Sequence, residues 1–377
     1  MKVELKRWQN SWHDLKNNDL KDSAQLVLAF GERKTLESGG FYKQIKDFYP
    51  HAEIVICSSA GEISEANVTD SAVVVAALKF DKTKLTTNKE KITDPKQSEE
   101  VGEKLAKSLE QEGLAHVMVF ADGQKTNGTT LVKGLVENLP KEVAVTGCLV
   151  GDGHRFETTL DGLDEEPVAD QVVAIGFYGQ DLKIGFGSLG GWDPFGPERT
   201  ITKSDGNILY ELDNEPALKL YKEYLGDEAK NLPGSGLLFP LRLKVQGEEN
   251  EVVRTILAVD EDKQSMTFAG SMPEGALAKL MKANFERLID GAAEAAEMSA
   301  EPLGKSEPDL AVLISCIGRK LVLGDQIEEE VEAVAEKLGT TNLIGFYSYG
   351  EISPGSPTKR QCQLHNQTMT ITTFKEK

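Results

Sequence analysis

Apolar runs recur along this chain in pairs, each pair closing on glycine and charge. LVLAFGERK (26–34), HVMVFADGQK (116–125) and AVLISCIGRK (311–320) each read as a buried strand running into a Gly-(x)-Arg/Gln-Lys loop. Four or more consecutive apolar residues bounded by a turn residue fit a strand covered on both faces. A second run follows each: IVICSSAGEIS (54–64), EVAVTGCLVGDG (142–153) and LIGFYSYGEIS (343–353). Between the runs lies a helical segment, clearest in the third copy, where Ile327, Val331, Val334 and Leu338 recur at helical spacing. Asp325 and Glu328 have the spacing of a capping box at its start. Strand, helix, strand at this length is a β-α-β unit, right-handed with parallel strands. Further strands follow at SAVVVAALKF (71–80), DQVVAIGFYG (170–179) and TMTITTF (368–374). The pattern predicts an α/β fold of mixed sheets faced by helices, with repeated β-α-β units and additional antiparallel strands.

Other stretches are less regular. GFGSLG (185–190) satisfies G-x-G-x-x-G, but it runs into Gly191, Pro194, Gly196 and Pro197 rather than into a helix, so a nucleotide reading is rejected in favour of a bent connection between halves. A helix is expected around Pro216–Leu225, a Gly/Pro turn at Leu232–Gly236 and strands over 237–270. A second helix is expected from Pro273 to about Met298, its buried face formed by Leu277, Leu280, Met281, Phe285, Leu288 and Ile289. Trp8 and Trp12, four residues apart, fit either an exposed partner surface or the inner face of an N-terminal helix.

The two most similar runs align without a gap at Ser59/Ser348, Gly61/Gly350, Glu62/Glu351, Ile63/Ile352 and Ser64/Ser353, and Gly151 with Asp152 is the looser middle counterpart. In a β-α-β unit the loop after the first strand and the turn after the second leave the same carboxyl edge, where ligands of open α/β sheets bind. Arg319 and Lys320, Ser348, Tyr349, Gly350 and Glu351, with Ser59, Glu62 and Asp152, are therefore expected on one rim. Such a rim suits a small zwitterion or carboxylate. The plainer reading makes the lysines solvated, the acids helix caps and the glycines turn formers. His365, Asn366, Gln367 and Thr368 precede the last strand, as a hydrogen-bonded corner or a pocket lining; this places the preferred site at Glu351, with His365 and Asn366. His154, in GDGHRF, is a candidate ligand of haem iron.

Composition narrows the partners. The 377 residues carry 42 Lys and Arg against 61 Asp and Glu, a net charge of −19 that repels nucleic acid and anionic lipid. No apolar stretch reaches the length of a membrane-spanning helix and the N-terminal residues lack a signal-peptide core, so no membrane insertion and a cytoplasmic location are expected. Cys57, Cys148, Cys316 and Cys362 lack Cys-x-x-Cys spacing, which points to reduced thiols.

ICSSAGEIS (56–64), ADG (121–123), TGCLVGDGHRF (146–156), the junction at 190–226, GFYSYGEISP (345–354) and LHNQT (364–368) resemble, in order and spacing, the FIST family. The resemblance runs from about Ser23 to the end and implies two domains, FIST N over 1–206 and FIST C over 207–377. It further implies an intracellular sensory protein of signal transduction that binds a small ligand such as an amino acid. One branch of the family binds haem, responds to nitric oxide and controls a histidine kinase. No output segment is seen in this sequence, so signalling through a separate protein is expected. Two other readings stay open: an interaction scaffold, and an enzyme using Cys57 or Ser59 with Glu62.

Overall fold

The structure is a computed structural model that describes residues 1–247, 251–304, 306–356 and 359–377, with the backbone alone at 356 and 359–361. Three of its sheets are variations on one plan. In the first, Leu26–Glu32 is followed by helices Arg33–Gly39 and Phe41–Phe48, then by the parallel strand Glu53–Ser59. The second has Leu114–Ala121, helix Gly128–Asn138 and Ala144–Leu149; the third has Leu310–Cys316, helices Ile317–Leu323 and Ile327–Leu338, and Asn342–Ser348. Each leading strand then accepts an antiparallel return strand on its other side: Val73–Lys79, Gln171–Tyr178 and Met369–Glu376. The α/β reading and the three-copy reading therefore describe the molecule.

The hairpin or strand after each second strand leaves its own sheet. Glu62–Ser64, from the first unit, pairs with Asn342–Ser348 of the third. Gly350–Ser356, from the third, pairs with Ala144–Leu149 of the second, and Asp161–Leu163, from the second, pairs with Glu53–Ser59 of the first. The three units thus exchange arms in a closed ring, each completing the edge of another unit's sheet.

The inner faces of the three sheets share one core. At its centre Phe30 lies 5.8 Å from Phe120 and 4.4 Å from Phe346, one ring from each sheet. The registers show how this volume is shared: Phe30 is opposite Cys57 and Phe120 opposite Cys148, whereas in the third unit Ile314 is opposite Phe346. The large ring has changed strands and the small partner has changed with it, as close packing requires. Helices cover the outer faces, with Val331, Val334 and Leu338 buried as their spacing implies. Helix Ile327–Leu338 begins after a 3₁₀ turn at Gly324–Gln326, without the capping box expected of Asp325 and Glu328.

An antiparallel module of short strands, Asp193–Asp205 through Leu277–Lys282, is inserted in the third unit and has its own core around Leu209, Leu218, Leu243, Met266 and Phe268. Three expectations change here. GFGSLG is no bent connection but part of the strand Leu182–Leu189, the edge of the third sheet beside Met369–Glu376. Its glycines let helix Phe285–Ala300 lie directly on the strand: a Cβ on Gly185 would stand 1.8 Å from the Ser299 carbonyl oxygen, and one on Gly187 2.1 Å from that of Ala295. The expected helix from Pro273 is in fact strand Leu277–Lys282 followed by helix Phe285–Ala300, because Leu277–Lys282 pairs on both sides within the module and Asn284 caps the helix after it. Trp8 and Trp12 face each other across an N-terminal hairpin, not a helix, and both pack edge-on against Phe41.

Candidate functional site

The two Ser-x-Gly-Glu turns fold alike. Ser59 Oγ donates to Glu62 Oε1 at 2.5 Å, while Glu62 Oε2 accepts from the Ala72 N–H at 3.0 Å. Ser348 Oγ donates to Glu351 Oε1 at 3.0 Å, and Glu351 Oε2 accepts from the N–H and hydroxyl of Thr368 at 3.1 and 2.9 Å. Ala72 and Thr368 each stand just before a return strand, so in both units the carboxyl group ties the turn to the start of the next strand. Ser59, Glu62, Ser348 and Glu351 are buried. Burial pushes the Glu62 carboxyl up to about 7 and that of Glu351 to about 8, against the hydrogen bonds each receives.

The second unit divides this work between two acids. Asp122 Oδ2 accepts from the Asp170 N–H at 3.1 Å, just before return strand Gln171–Tyr178, and Oδ1 accepts from the N–H groups of Gln124 and Lys125. Asp152 instead gathers the N–H groups of Phe156, Glu157 and Thr158 at 3.0–3.2 Å and the Tyr349 hydroxyl. Phe156 is held at a φ of 54° with its ring 42% exposed and stacked 4.5 Å from Tyr349. Arg33 of the first unit reaches Asp152 at 3.6 Å and Glu157 at 2.9 Å.

Arg319 and Lys320 diverge. Arg319 is fully buried: it makes two bonds to Glu330 Oε2, at 2.9 and 2.7 Å, and donates to the carbonyls of Gly190 and Leu288. Glu330 also accepts from Ser315 and Tyr347. Lys320 crosses to the first unit, donating to the Ala60 carbonyl at 3.0 Å and pairing with Asp70. Gly61, at a φ of 132°, leaves it room, since a Cβ there would stand 2.3 Å from Nζ. The rim residues do meet at the carboxyl edges, but across unit boundaries, and the turns fill the space between them. The Ala60 N–H bonds the Tyr347 carbonyl, and the Gly153 N–H bonds that of Ser59.

His365 donates from Nε2 to the Ser353 carbonyl, 3.0 Å away, and burial pushes its imidazole down to about 4. Asn366 is fully buried beside it, and among the described residues neither amide atom has a hydrogen-bond partner. His154 is exposed on its loop. The Cys57 thiol is buried, and burial, with the Asp161 carboxylate nearby, pushes it well above its ordinary value. It is not placed as an accessible nucleophile.

Three residues escaped the sequence reading. Asp122 begins the loop after its unit's leading strand, whereas the glutamate tethers follow the second strands, so the aligned turns do not point to it. Glu330 left a signal: it is three residues from Ile327, a charge on the face of Val331 and Val334. Arg254 left none. It lies in a cleft of about 330 Å³ where helix Gly128–Asn138, the module and the arm strand Lys359–His365 meet. Both Val252–Arg254 and Lys359–His365 are sheet edges here. The Arg254 guanidinium donates to the module carbonyls of Val253 and Ser271 and, at 3.0 Å, to the Leu364 carbonyl of the arm.

Two family models match the chain, the FIST N domain over residues 25–215 and the FIST C domain over 217–354. The chain belongs to the FIST family. FIST domains are sensory modules of signal-transduction proteins. The two segments of this FIST protein meet within the antiparallel module. An uncharacterized protein of Methanocaldococcus jannaschii is 24% identical over 239 residues, covering 55% of this chain and 45% of its own length. This chain therefore spans less than half of that relative. A cyanuric acid hydrolase from A. caulinodans aligns with 94% of this chain and 90% of its own, at 8% identity and a TM-score of 0.33, a likeness too slight to carry an argument. Among the described residues no helix is long and apolar enough to cross a membrane, and no cluster of His, Cys, Asp and Glu could hold a metal ion.

Proposed function

We propose that this FIST chain is an input protein that takes a small ligand in the cleft between the antiparallel module and the three-unit body. A separate signalling protein, such as a histidine kinase, reads the seating of the module. The Arg254 bridge carries this reading: one guanidinium in the cleft wall bonds carbonyls of both parts, so a guest that moves it disturbs both. A ligand that favours one seating shifts the population toward it by its difference in affinity. On this reading Ser348, Gly350, Glu351, Arg319, His365 and Asn366 act from within, fixing the third unit and the arm whose outer strand lines the cleft. Ser59, Glu62, Asp152, Lys320 and Tyr349 knit the three units into the rigid half against which the module moves.

Native mass measurement of freshly purified protein tests the site. A small mass retained by the natural protein and lost from Thr130→Trp, which fills the cleft from a half-exposed helix position, supports it. Equal retention by both proteins removes the cleft from the binding site.

A further inference from the structure

We propose that the signalling partner docks through a basic amphipathic helix, in a second groove where the antiparallel module meets the third unit. The inference rests on the reading of the module as the part whose seating is sensed. This groove, of about 330 Å³, lies between the 3₁₀ turn Gly234–Leu238 of the module and helix Ile317–Leu323 of the body. Leu237 and Leu238 line one wall, Leu321 and Val322 the other. It shares no lining residue with the cleft around Arg254, so a partner here leaves the ligand cleft open. A guest that spans the two walls touches module and body at once, and is therefore placed to read how one sits on the other.

Apolar exposure concentrates around this groove. Among the described residues five large apolar side chains are 42–47% exposed, and three of them stand on elements that border the turn Gly234–Leu238. Leu321 lines the groove itself. Phe285 opens its helix two residues after Ala283, whose N–H bonds the Leu238 carbonyl at 3.0 Å. Leu257 follows Ile256, which packs on the turn: a Cβ on Gly236 would stand 3.2 Å from that of Ile256. One exposed apolar residue is ordinary, whereas several around one groove mark an interaction surface. Both walls are helical, so their backbone groups are spent within their own turns, and the guest is gripped by side chains rather than added as a strand.

Charge selects the partner. Glu228 lines the groove, Glu286 lies in the first turn of helix Phe285–Ala300, and Asp325 follows helix Ile317–Leu323; all three are exposed, with no ion pair among the described residues. The cations of these elements are already held: Lys230 by Asp227 at 2.8 Å, Arg287 by Asp193 at 2.7 Å, Arg319 by Glu330 and Lys320 by Asp70. The apolar floor thus has an acidic rim, which attracts a helix with lysine or arginine beside its apolar face. The same rim repels anionic lipid and a second copy of this chain, itself at −19.

Fluorescence anisotropy of the full chain with a labelled amphipathic helical peptide of leucine and lysine tests the assignment. The peptide should bind saturably at physiological salt, and its leucine and glutamate counterpart should not. Leu321→Lys, at an exposed position, should weaken binding about tenfold or more, because it sets a charge against the apolar face. Glu228→Lys should weaken it about three- to tenfold. Val168→Lys, at an exposed apolar position outside the groove, should leave it unchanged. Absence of saturable binding overturns the proposal, as does binding that survives Leu321→Lys or that Val168→Lys weakens equally, which would be general charge attraction. A natural chain that is dimeric, and monomeric as Leu321→Lys, overturns it in favour of a second copy. The broader reading fails separately: a peptide that binds the groove without changing hydrogen exchange in 252–254 or 359–365 leaves the docking surface standing and removes the module's seating as the signal. Conversely, a small retained mass that Thr130→Trp expels, with the peptide inert, keeps the ligand cleft and overturns the docking helix.

Discussion

The first and third units solve a problem in one way and the second solves it in another. In the first and third, a single buried glutamate binds the serine three residues before it and the backbone just before the return strand. In the second, Asp122 holds the return strand and Asp152 is released to organise the loop that carries Phe156. Dividing the task turns an internal tether into a surface feature: the acid that no longer spans the turn presents an aromatic ring instead. What the fold conserves is the tether to the return strand, not the residue that makes it.

The sharpest way to break this comparison uses the cations rather than the acids. Arg319→Ala should cost about 3–5 kcal/mol, because it leaves Glu330 charged and buried, whereas Arg33→Ala should cost less, about 1–2 kcal/mol, because Glu157 is exposed and the buried Asp152, its other partner, keeps three backbone N–H bonds and the Tyr349 hydroxyl. Chemical denaturation of both variants checks it, and equal losses would mean that the two units use their cations alike. Next come the tethers. Glu62→Ala and Asp122→Ala should each lose about 1–3 kcal/mol, from backbone donors left unsatisfied. Asp152→Ala should instead raise hydrogen exchange locally, over 153–158.

The third test uses pH. Glu62 and Glu351 start from 4.5 unfolded and rise to about 7 and about 8 on folding, so the folded state holds more protons than the unfolded state across that interval. Their contribution is fully present below about 4.5 and is lost as pH rises toward 8. His365 falls from 6.5 to about 4, so its contribution is lost as pH falls through that range and opposes theirs below 6.5. Between about pH 6.5 and 8 the glutamates, together with the buried Asp161 carboxyl that burial also pushes well above its ordinary value, make stability fall by at least about 2 kcal/mol. Glu351→Gln should reduce that fall in denaturation curves taken at each pH, and an unchanged slope would count against it. The smallest effect belongs to the divergent loop: Phe156→Ala should cost under about 1 kcal/mol, since the lost stacking concerns an exposed ring.

Much of the architecture was legible because buried parallel strands are continuous apolar runs, and three such pairs stand out wherever they occur. The meeting of Lys320 with a Ser-x-Gly-Glu turn was legible too, but not that Lys320 stands on the helix Ile317–Leu323 rather than on a loop, nor that it joins different units, since it serves the first unit's turn at Gly61. Arm exchange leaves no periodicity to read. GFGSLG misled for a related reason: its glycines answer to helix Phe285–Ala300, a hundred residues away in the chain, not to the local backbone. The rim was read correctly as the carboxyl edge, but pattern alone could not say that Glu351 and Arg319 would be enclosed by what packs over them. Arg254 sits in an ordinary-looking strand, and its bond to the Leu364 carbonyl, distant in the chain, is visible in the structure alone.

The ring of exchanged arms also sets an order of events at the ribosome. The second unit's leading and second strands emerge together, but the far side of Ala144–Leu149 has no neighbour until Gly350–Ser356 is made some two hundred residues later. During that interval a strand edge is open to any other nascent chain, the condition under which sheets join wrongly. The third unit's arm is thus a late-arriving shield, and a chain stalled before residue 350 should be prone to aggregate even though all the strands of its first unit have already been made.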